Sequence, residues 1–464
     1  MPGVEISIGR ARVDITPSEP VLLAGFGQRT EPSAGVHDRL YAKALVLVGA
    51  GRRVVLVTMD LLHVPGALTA ALRASLADVG LGADELCVTA SHTHSGPVPY
   101  APGSAEPGVA AYAPALLAAL DGLVRAALAD VAPARVRTGV GVLTGLWNRR
   151  RGGAVDDAVD GRVPVFAVTD ARSGALRAVL FGAGCHPTTL GWDSNLVSAD
   201  YPGVAQRLVE ERLGVEVALF VNTTEGDVVP ATSPRRDALD ARGYCGGSWA
   251  DTVALGERLA TAVVDVVRAA PTDELAACAA QRLEVLVPPS YAELDGEALD
   301  ALEARSVAVL QRRLGERAIA PGALWSEASS VVVAEDLDDD AMRELMVAVC
   351  HRLVSFGVRA RRGRSAPVAV PVHVLRLHDL SLCLLPGEAL VEVGRAWSAR
   401  SGSDRAFVVG LAGDHFRYLP VASHFAEVDA GERYETVTAA LAPDAVDTLL
   451  DRAAAALATM EARS

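Results

Sequence analysis

Residues 87–97 read Cys-Val-Thr-Ala-Ser-His-Thr-His-Ser-Gly-Pro. The apolar and β-forming run at 86–90 predicts a buried strand, and the Gly-Pro pair that closes the stretch predicts a turn. Two histidines, His92 and His94, lie between them, one residue apart. Because alternate side chains of an extended chain point the same way, both imidazoles can face one cleft. The pattern is typical of a metal site, although a strand that merely ends in polar residues fits it as well.

Two further strand ends carry groups that bind metals. His186 follows the apolar run at 178–184, and Glu388 follows the apolar run at 380–385. Imidazole and carboxylate ligands from protein strands form a set that Zn²⁺ prefers, with one position left open for water. The sequence therefore predicts that His92, His186 and Glu388 meet around one zinc ion.

Other polar side chains also follow predicted strands. Asp60 comes after the strand at 53–58, where it can orient a ligand histidine or cap the helix that follows. Asn222 and Asp227 lie in a tight loop after the strand at 215–221, which suits a pocket wall or an ordinary surface turn. We predict that all three contribute to substrate binding.

A loop at 145–153 contains three consecutive arginines, of which Arg149 is the first. Such a run usually faces solvent. A guanidinium that reaches a cleft is also the group best suited to hold a carboxylate or a developing oxyanion. Arg149 is therefore the predicted functional member of the run.

The order of apolar runs and helical patterns predicts an α/β fold of the mixed α+β kind, with sheets covered by helices. Long helices are predicted at 109–131, 247–270 and 443–462. The acidic run at 335–340 predicts a helix N-terminus rather than a calcium loop, because the central glycine and the spacing of an EF-hand are missing. With no repeat and no low-complexity linker, a single domain over residues 1–464 is the simplest interpretation.

Composition narrows the possible partners and the compartment. The net charge of -14 argues against a nucleic-acid partner. The N-terminus lacks the features of a signal peptide, and no segment is expected to insert into a membrane. The six cysteines include no Cys-x-x-Cys pair and are expected to be reduced. We therefore expect a cytoplasmic enzyme with a small-molecule substrate, and the oligomeric state stays open.

Short motifs along the chain resemble those of the neutral ceramidase family, zinc-dependent amidases that release a fatty acid from N-acyl sphingosine. The motifs occur in the family's order and cover most of its catalytic domain. They lie at 13–17, 36–44, 92–97, 148–149, 186–188, 226–227, 386–388, 418–419 and 433–435. Each motif is weak by itself, whereas so many in one order are specific.

The resemblance implies a set of site residues. His92, His186, Glu388 and Tyr418 would bind zinc, and His94 and Arg149 would act as catalytic groups close to the metal-bound water and the scissile carbonyl. The chain departs from the family at Val229, which occupies the position of a serine implicated in catalysis. We also expect the protein to lack the immunoglobulin-like domain that follows the catalytic domain in ceramidases.

Together, these features predict a zinc-dependent amidohydrolase that cleaves an amide of a soluble N-acylated small molecule by metal-activated water. A zinc-dependent acyltransferase or amide-forming enzyme would use the same residues. A binding protein that kept the fold and lost the chemistry is a third possibility, for which Val229 would be the sign.

Overall fold

The computed structural model describes residues 6–49, 52–104, 107–150, 158–232, 247–272, 278–290, 296–315, 324–335, 337–360, 366–427 and 430–462. Arg151 and Cys245 lie outside these ranges. Helices and strands alternate along the chain, so the predicted mixed α/β class is confirmed.

The strands are short to medium in length and follow one another in small groups. In chain order they are β1 (Ile6–Asp14), β2 (Gly35–Val36), β3 (Tyr41–Gly49), β4 (Arg52–Met59), β5 (Leu86–Ala90), β6 (Ala132–Val142), β7 (Leu146–Asn148), β8 (Arg162–Asp170), β9 (Leu176–Ala183), β10 (Leu196–Val197), β11 (Val217–Asn222), β12 (Val228–Pro230), β13 (Cys278–Val287), β14 (Val368–Leu377), β15 (Leu380–Leu384), β16 (Glu388–Ala389), β17 (Ala406–Val409) and β18 (Tyr418–Leu419).

The helices range from single turns to long rods. In chain order they are α1 (Gly66–Ser75), α2 (Pro107–Ala129), α3 (Asp200–Leu213), α4 (Trp249–Ala269), α5 (Gly296–Leu314), α6 (Leu324–Ala334), α7 (Asp339–Ala360), α8 (Val391–Ser401), α9 (Ala422–Phe425), α10 (Tyr434–Val437) and α11 (Ala445–Glu461). The predicted helix at the acidic run is α7, where Asp338 Oδ1 accepts a hydrogen bond from the Ala341 N–H at 2.8 Å. A carboxylate at this end of the helix stabilises it, as the sequence indicated.

The larger sheet has the strand order β11-β9-β8-β6-β1-β3-β4-β5. Its inner pairs are antiparallel, whereas the outermost pairs, β11 with β9 and β4 with β5, are parallel. All five residues of β5 and all six of β11 are buried. Strands covered on both faces read as continuous apolar runs rather than as an alternation, which is why the sequence signalled them so clearly.

The smaller sheet, in the order β13-β14-β15-β17, packs against the larger one. Side chains of both sheets share one buried cluster, which includes Ile8 and Leu47 from the larger sheet and Leu375 and Leu382 from the smaller. Helices cover the outer faces: α1 to α4 cover the larger sheet, and α8 and α11 cover the smaller sheet. The fold is therefore a stack of four layers, in which two sheets pack against each other and helices cover both outer faces. The predicted covering of sheets by helices is confirmed.

Helix α2 bears on the expectation that no segment inserts into a membrane. Its segment Gly108–Ala129 is long and apolar enough, by length and composition alone, to cross a membrane. In the structure, its residues Leu116, Leu120, Leu123 and Val124 are buried against the larger sheet. The apolar composition of α2 therefore serves the core of the fold.

Strand ends from both sheets meet at one edge of the stack. The Gly413 N–H donates to the Val88 carbonyl at 2.8 Å, and the Gly410 N–H donates to the Asn222 carbonyl at 3.0 Å. The Gly226 N–H donates to the Ala389 carbonyl at 2.9 Å. These backbone hydrogen bonds hold β5 and the loops after β11, β15 and β17 together, and the candidate site lies on these loops and on those after β5 and β9.

Candidate metal centre

His92 is the first side chain of the cluster, just after β5. Its backbone has φ of 72°, a left-handed conformation that a non-glycine residue rarely adopts. The His92 N–H donates to the Leu61 carbonyl at 2.9 Å, and Nδ1 lies 2.7 Å from the Leu62 carbonyl. Because Nδ1 faces a carbonyl oxygen, it carries the proton, and Nε2 is left as the free nitrogen that points into the cluster.

His186 is held in the same way after β9. Its backbone N–H donates to the Val228 carbonyl at 2.8 Å, and its Nδ1 lies 2.8 Å from the Glu225 carbonyl. Burial lowers the pKa of His186 to about 4, so the imidazole is neutral at physiological pH. A neutral imidazole with its Nδ1 proton committed to a carbonyl is the form of histidine that binds metals.

Glu388 and Tyr418 reach the cluster side by side, because β16 and β18 pair in parallel with these two residues in register. Glu388 Oε2 lies 3.4 Å from His92 Nε2 and 3.2 Å from His186 Nε2. The Tyr418 hydroxyl lies 3.5 Å from His186 Nε2. Burial by itself would raise the pKa of Glu388, but His92, His186 and His415 hold it well below the usual value. The cluster therefore contains a buried carboxylate.

These separations fit a metal ion. A tetrahedral zinc ion with ligands at about 2.0–2.1 Å places neighbouring donor atoms about 3.3 Å apart. The separations of Glu388 Oε2 from His92 Nε2, 3.4 Å, and from His186 Nε2, 3.2 Å, match that edge length. The imidazoles of His92, His94 and His186 also form a group whose ligand atoms lie within 4.8 Å of one another. The site could hold a divalent ion.

His94 shares the cluster but is held differently. Its Nε2 lies 3.3 Å from His92 Nε2, and its buried Nδ1 has no hydrogen-bond partner among the described residues. The Phe26 ring packs against it with centroids 4.8 Å apart. His94 thus presents Nε2 to the same point as the other imidazoles without a carbonyl fixing its tautomer.

Arg149 lies against the cluster and is tightly bound. Its Nε donates to Glu435 Oε1 at 2.8 Å, and one terminal nitrogen donates to the Gly226 carbonyl at 2.7 Å and to the Tyr418 hydroxyl at 3.1 Å. Arg150 pairs with the same glutamate, at 3.1 Å from Oε2. The arginine run is therefore anchored by a buried carboxylate, and Arg149 reaches the metal centre through Tyr418.

The three residues predicted to bind substrate, Asp60, Asn222 and Asp227, are all buried and hydrogen-bonded to other parts of the protein. Asp60 accepts hydrogen bonds from the Tyr41 N–H at 2.9 Å and from Gln206 at 3.1 Å. The Leu62 carbonyl, not Asp60, is the group that orients His92. Helix α1 begins after Pro65, so Asp60 does not cap it either. Asp60 instead ties β4 to β3 and α3.

Asn222 and Asp227 support the loops that carry the metal centre. The Asn222 amide donates to the Ser91 carbonyl at 3.0 Å. Asp227 accepts from Asn148 at 2.8 Å and from the Val391 N–H at 3.0 Å. Burial raises the pKa of Asp227 to about 6. Both residues are almost fully enclosed and hold the loops that carry the cluster, and their role in substrate binding stays a prediction.

Val229 stands where the family that this sequence resembles has a serine, and its side chain is fully buried. It lies in β12, which pairs with β7, and faces Trp147 in that ladder. The Val229 side chain therefore contributes to the packed core that supports the site.

Sequence reasoning missed several side chains around the centre. Arg29 donates to the carbonyl oxygens of His94, Gly191 and Ser194 and so joins two loops of the site. Burial lowers its pKa to about 10. Gly25 has φ of 103°, and a Cβ there would lie 2.6 Å from the His94 ring. The glycine-bearing loop at 24–30 was the signal for both, but a loop pattern does not say which histidine it will cover.

Two imidazoles and a carboxyl were also missed. His63 and His415 stack with centroids 4.3 Å apart beside Glu388. Burial lowers the pKa of His63 to about 3. The carboxyl of Glu225 is fully enclosed, and burial raises its pKa well above the usual value. His63 and Glu225 stand in no pattern that marks them in the sequence.

The cysteines that the structure describes carry no disulfide. Cys87, Cys185, Cys350 and Cys383 are buried and free, as expected for small core residues.

Comparison with known proteins then settles the family. Residues 6–246, just over half of the chain, match the N-terminal domain of the neutral/alkaline non-lysosomal ceramidases. The chain belongs to this family. It is 28% identical over 259 residues to the neutral ceramidase of Mycobacterium tuberculosis, a match that covers 48% of this chain and 40% of that protein. The matched region therefore spans well under half the length of that relative.

Solved structures show the same fold over nearly the whole chain. The neutral ceramidase of Pseudomonas aeruginosa superimposes with a TM-score of 0.69 at 20% identity, covering 98% of this chain and 74% of that one. A ceramidase complexed with C2 superimposes with a TM-score of 0.71 at 20% identity, covering 98% of this chain and 76% of that one. At this level of identity the superpositions establish the fold alone.

Proposed function

We propose that the protein is a metal-dependent hydrolase of an N-acyl amide, with zinc as its ion. The observation that carries the proposal is the convergence of His92, His186 and Glu388, which lie nearly three hundred positions apart in sequence. Glu388 Oε2 lies 3.2 Å from His186 Nε2 and 3.4 Å from His92 Nε2. Membership of a family of ceramidases supports an amide as the bond that is cleaved.

His92, His186, Glu388 and Tyr418 would hold the ion. When bound, zinc lowers the pKa of water towards neutrality and polarises a carbonyl oxygen. The nitrogens that would bind it are the two Nε2 atoms, since both Nδ1 atoms are committed to carbonyl oxygens at 2.7 and 2.8 Å. The ligand set is thus oriented before any ion arrives, which reduces the loss of side-chain entropy on binding.

His94 is the proposed proton carrier. Its Nε2 lies 3.3 Å from His92 Nε2, within reach of groups that react at the centre. Since no backbone carbonyl fixes the tautomer of His94, Nε2 can hold or release a proton during the reaction. It would take a proton from the attacking water and deliver it to the leaving amine.

We propose that Arg149 acts beside the scissile carbonyl of the substrate. Its guanidinium donates to the Tyr418 hydroxyl at 3.1 Å and is balanced by Glu435 at 2.8 Å. These contacts favour a role in which Arg149 holds Tyr418 and adds positive potential where negative charge develops. A substrate carboxylate would have to compete with Glu435 for the same guanidinium.

The substrate class is proposed from two considerations. The sequence predicted a soluble N-acylated compound, whereas the named relatives are ceramidases, which supports a lipid amide. Both are N-acyl amides, and the chemistry of the centre is the same for both. We therefore propose an N-acyl amine as the substrate class, with ceramide-like lipids included.

The test uses the purified protein loaded with zinc. Release of fatty acid would be measured from a short-chain N-acyl sphingosine presented in detergent and from a water-soluble N-acyl amine of the same chain length. We expect hydrolysis of at least one, loss of activity on chelation, and recovery on adding zinc. His186→Ala should abolish both zinc binding and turnover. Full activity in the presence of a chelator would refute the proposal.

A further inference from the structure

The two oxygens of Glu388 face different imidazoles. Oε2 lies 3.4 Å from His92 Nε2 and 3.2 Å from His186 Nε2, which are the candidate ligands. Oε1 points the other way and lies 3.4 Å from His415 Nε2. His415 is therefore the one imidazole, among those described around Glu388, that contacts the oxygen not shared with the ligand set.

The position of His415 is fixed by its own loop. Its backbone N–H donates to Asp414 Oδ1 at 2.8 Å, and the same oxygen accepts from the Gly66 N–H at 2.9 Å. The next residue, Phe416, donates its N–H to the Pro386 carbonyl at 2.7 Å. The loop that carries His415 is thus joined both to the start of α1 and to the turn that precedes Glu388.

The ring of His415 is fixed as well. It stacks on His63 with centroids 4.3 Å apart and an angle of 24° between the planes. Its Nε2 is buried and has no hydrogen-bond partner among the described residues, and Glu388 Oε1 lies 3.4 Å from it. A buried imidazole nitrogen with no other partner gains most from donating its proton to the carboxylate oxygen beside it, and such a bond would restrict rotation of that carboxylate.

We propose that His415 is a positioning residue, which holds Oε1 of Glu388 and so presents Oε2 to the metal ion. This inference rests on the proposed metal-dependent function. Carboxylates that bind metals are themselves hydrogen-bonded, and the loss of such an outer partner costs about 10–100-fold in metal affinity. His63 supports the arrangement through the stack.

A second ion between His63 and His415 is the rival arrangement. An imidazole binds a metal in the plane of its ring, along the nitrogen lone pair. The rings of His63 and His415 are nearly parallel and stacked, so their in-plane directions do not converge on one point. The geometry therefore favours the contact of His415 with Glu388 Oε1 over a second centre.

The experiment compares zinc binding by the purified full-length protein and four variants. His415→Phe removes the N–H but keeps a ring to stack on His63. His415→Gln restores an N–H at a similar reach. His92→Ala removes a ligand, and His37→Phe is the matched control, since the His37 ring packs on Trp249, outside the cluster. Zinc dissociation constants come from competition with a chromophoric chelator, and cobalt spectra report the ligand geometry.

We expect His415→Phe to weaken zinc binding by about 10–100-fold, with an altered cobalt spectrum and a stoichiometry of one. His415→Gln should recover part of the affinity, and His37→Phe should match the wild type. Thermal unfolding of each metal-free variant checks that it is folded.

Three results would overturn the proposal. If His415→Phe binds zinc as tightly as the wild type while His92→Ala does not, the metal centre stands and the role of His415 falls. If the wild type binds two ions and His415→Phe binds one, His415 is a ligand rather than a positioning residue. If the wild type binds no zinc, the proposed function itself fails.

Discussion

His92 occupies a backbone conformation that costs energy. Its φ of 72° lies in the left-handed region, where a residue with a Cβ is disfavoured by roughly 1–2 kcal/mol. The conformation persists because the Leu61 and Leu62 carbonyls fix the backbone and the ring of His92. Strain of this kind is found where a side chain must point in one particular direction, here towards Glu388.

This strain predicts the order of stability of two variants. In the absence of metal, His92→Gly should be more stable than His92→Ala by about 1 kcal/mol, because glycine adopts a positive φ without penalty. Urea denaturation followed by circular dichroism measures the difference. The same pair of substitutions at His186, whose φ is not positive, should give the reverse order. An alanine variant that is the more stable at position 92 would contradict this account.

The buried ion pair behind the site predicts a larger effect. Arg149 and Glu435 are 4% and 3% exposed, and Glu435 also pairs with Arg150. Glu435→Gln should therefore reduce the free energy of unfolding by about 3–5 kcal/mol, because it removes the buried carboxylate that pairs with both Arg149 and Arg150. Turnover should fall as well, since Arg149 would no longer hold Tyr418.

The control for that variant is an exposed pair. Arg207 and Glu211 are more than half exposed, at 54% and 56%, on α3. Glu211→Gln should change the free energy of unfolding by less than about 1 kcal/mol. Equal effects of Glu435→Gln and Glu211→Gln on urea denaturation would be inconsistent with a buried network at the site.

At the scale of elements, the sequence predicted the regular strands well and the short ones poorly. β5, β9 and β15 are buried on both faces, so their continuous apolar runs were visible, and the histidines and glutamate that follow them could be anticipated. β16 and β18 have two residues each, which is too short for any periodicity. Their pairing, which sets Tyr418 beside Glu388, follows from tertiary contacts that no local pattern encodes.

The interpretation of Asp60 shows the same limit. A carboxylate after a strand was expected either to orient a histidine or to cap the next helix, whereas a backbone carbonyl orients His92 and the helix begins after Pro65. Every residue has a carbonyl, so a sequence offers no way to identify this kind of partner. Asp60 instead belongs to a group of carboxylates near the start of α3, in which Asp60 and Asp200 are buried and Asp38 is partly buried.

That group predicts a dependence of stability on pH. Burial raises the pKa of Asp38 from 3.8 to about 6, with Asp60 and Asp200 adding to the effect. A carboxyl whose pKa is raised by folding contributes stability that is present below pH 3.8 and lost as the pH rises through about 6. Relative to Asp38→Asn, the wild type should therefore lose at most about 3 kcal/mol between pH 4 and pH 7.

Thermal unfolding of both proteins across this pH range measures the difference. Asp14→Asn is the matched control with the opposite sign. Burial would raise the pKa of Asp14, but hydrogen bonds from Thr16 and pairing with Arg39 lower it overall. The wild type should therefore gain stability relative to Asp14→Asn as the pH rises. A pH-independent difference for Asp38→Asn would mean that this carboxyl is not perturbed by folding.

At the scale of the whole molecule, the site joins the two sheets. His92 and His186 follow strands of the larger sheet, whereas Glu388 follows β15 of the smaller sheet. An ion bound between them would link the two halves of the stack. A ligand that binds the folded state alone stabilises it by an amount that grows with the logarithm of its concentration.

Removal of the metal should therefore lower the temperature of unfolding. At a free zinc concentration of about 100 times the dissociation constant, the gain is about 2.7 kcal/mol. Chelation should reverse it, and adding zinc should restore it. His186→Ala should unfold at the same temperature with and without zinc. A wild-type protein whose unfolding is insensitive to zinc would not be using the ion to join its sheets.

The most direct measurement is anomalous diffraction at the zinc absorption edge from crystals of the zinc-loaded protein. We predict one strong anomalous peak at coordination distance from His92 Nε2, His186 Nε2 and Glu388 Oε2. A zinc-loaded crystal without a peak between these three atoms, or with its zinc bound elsewhere, would contradict the account.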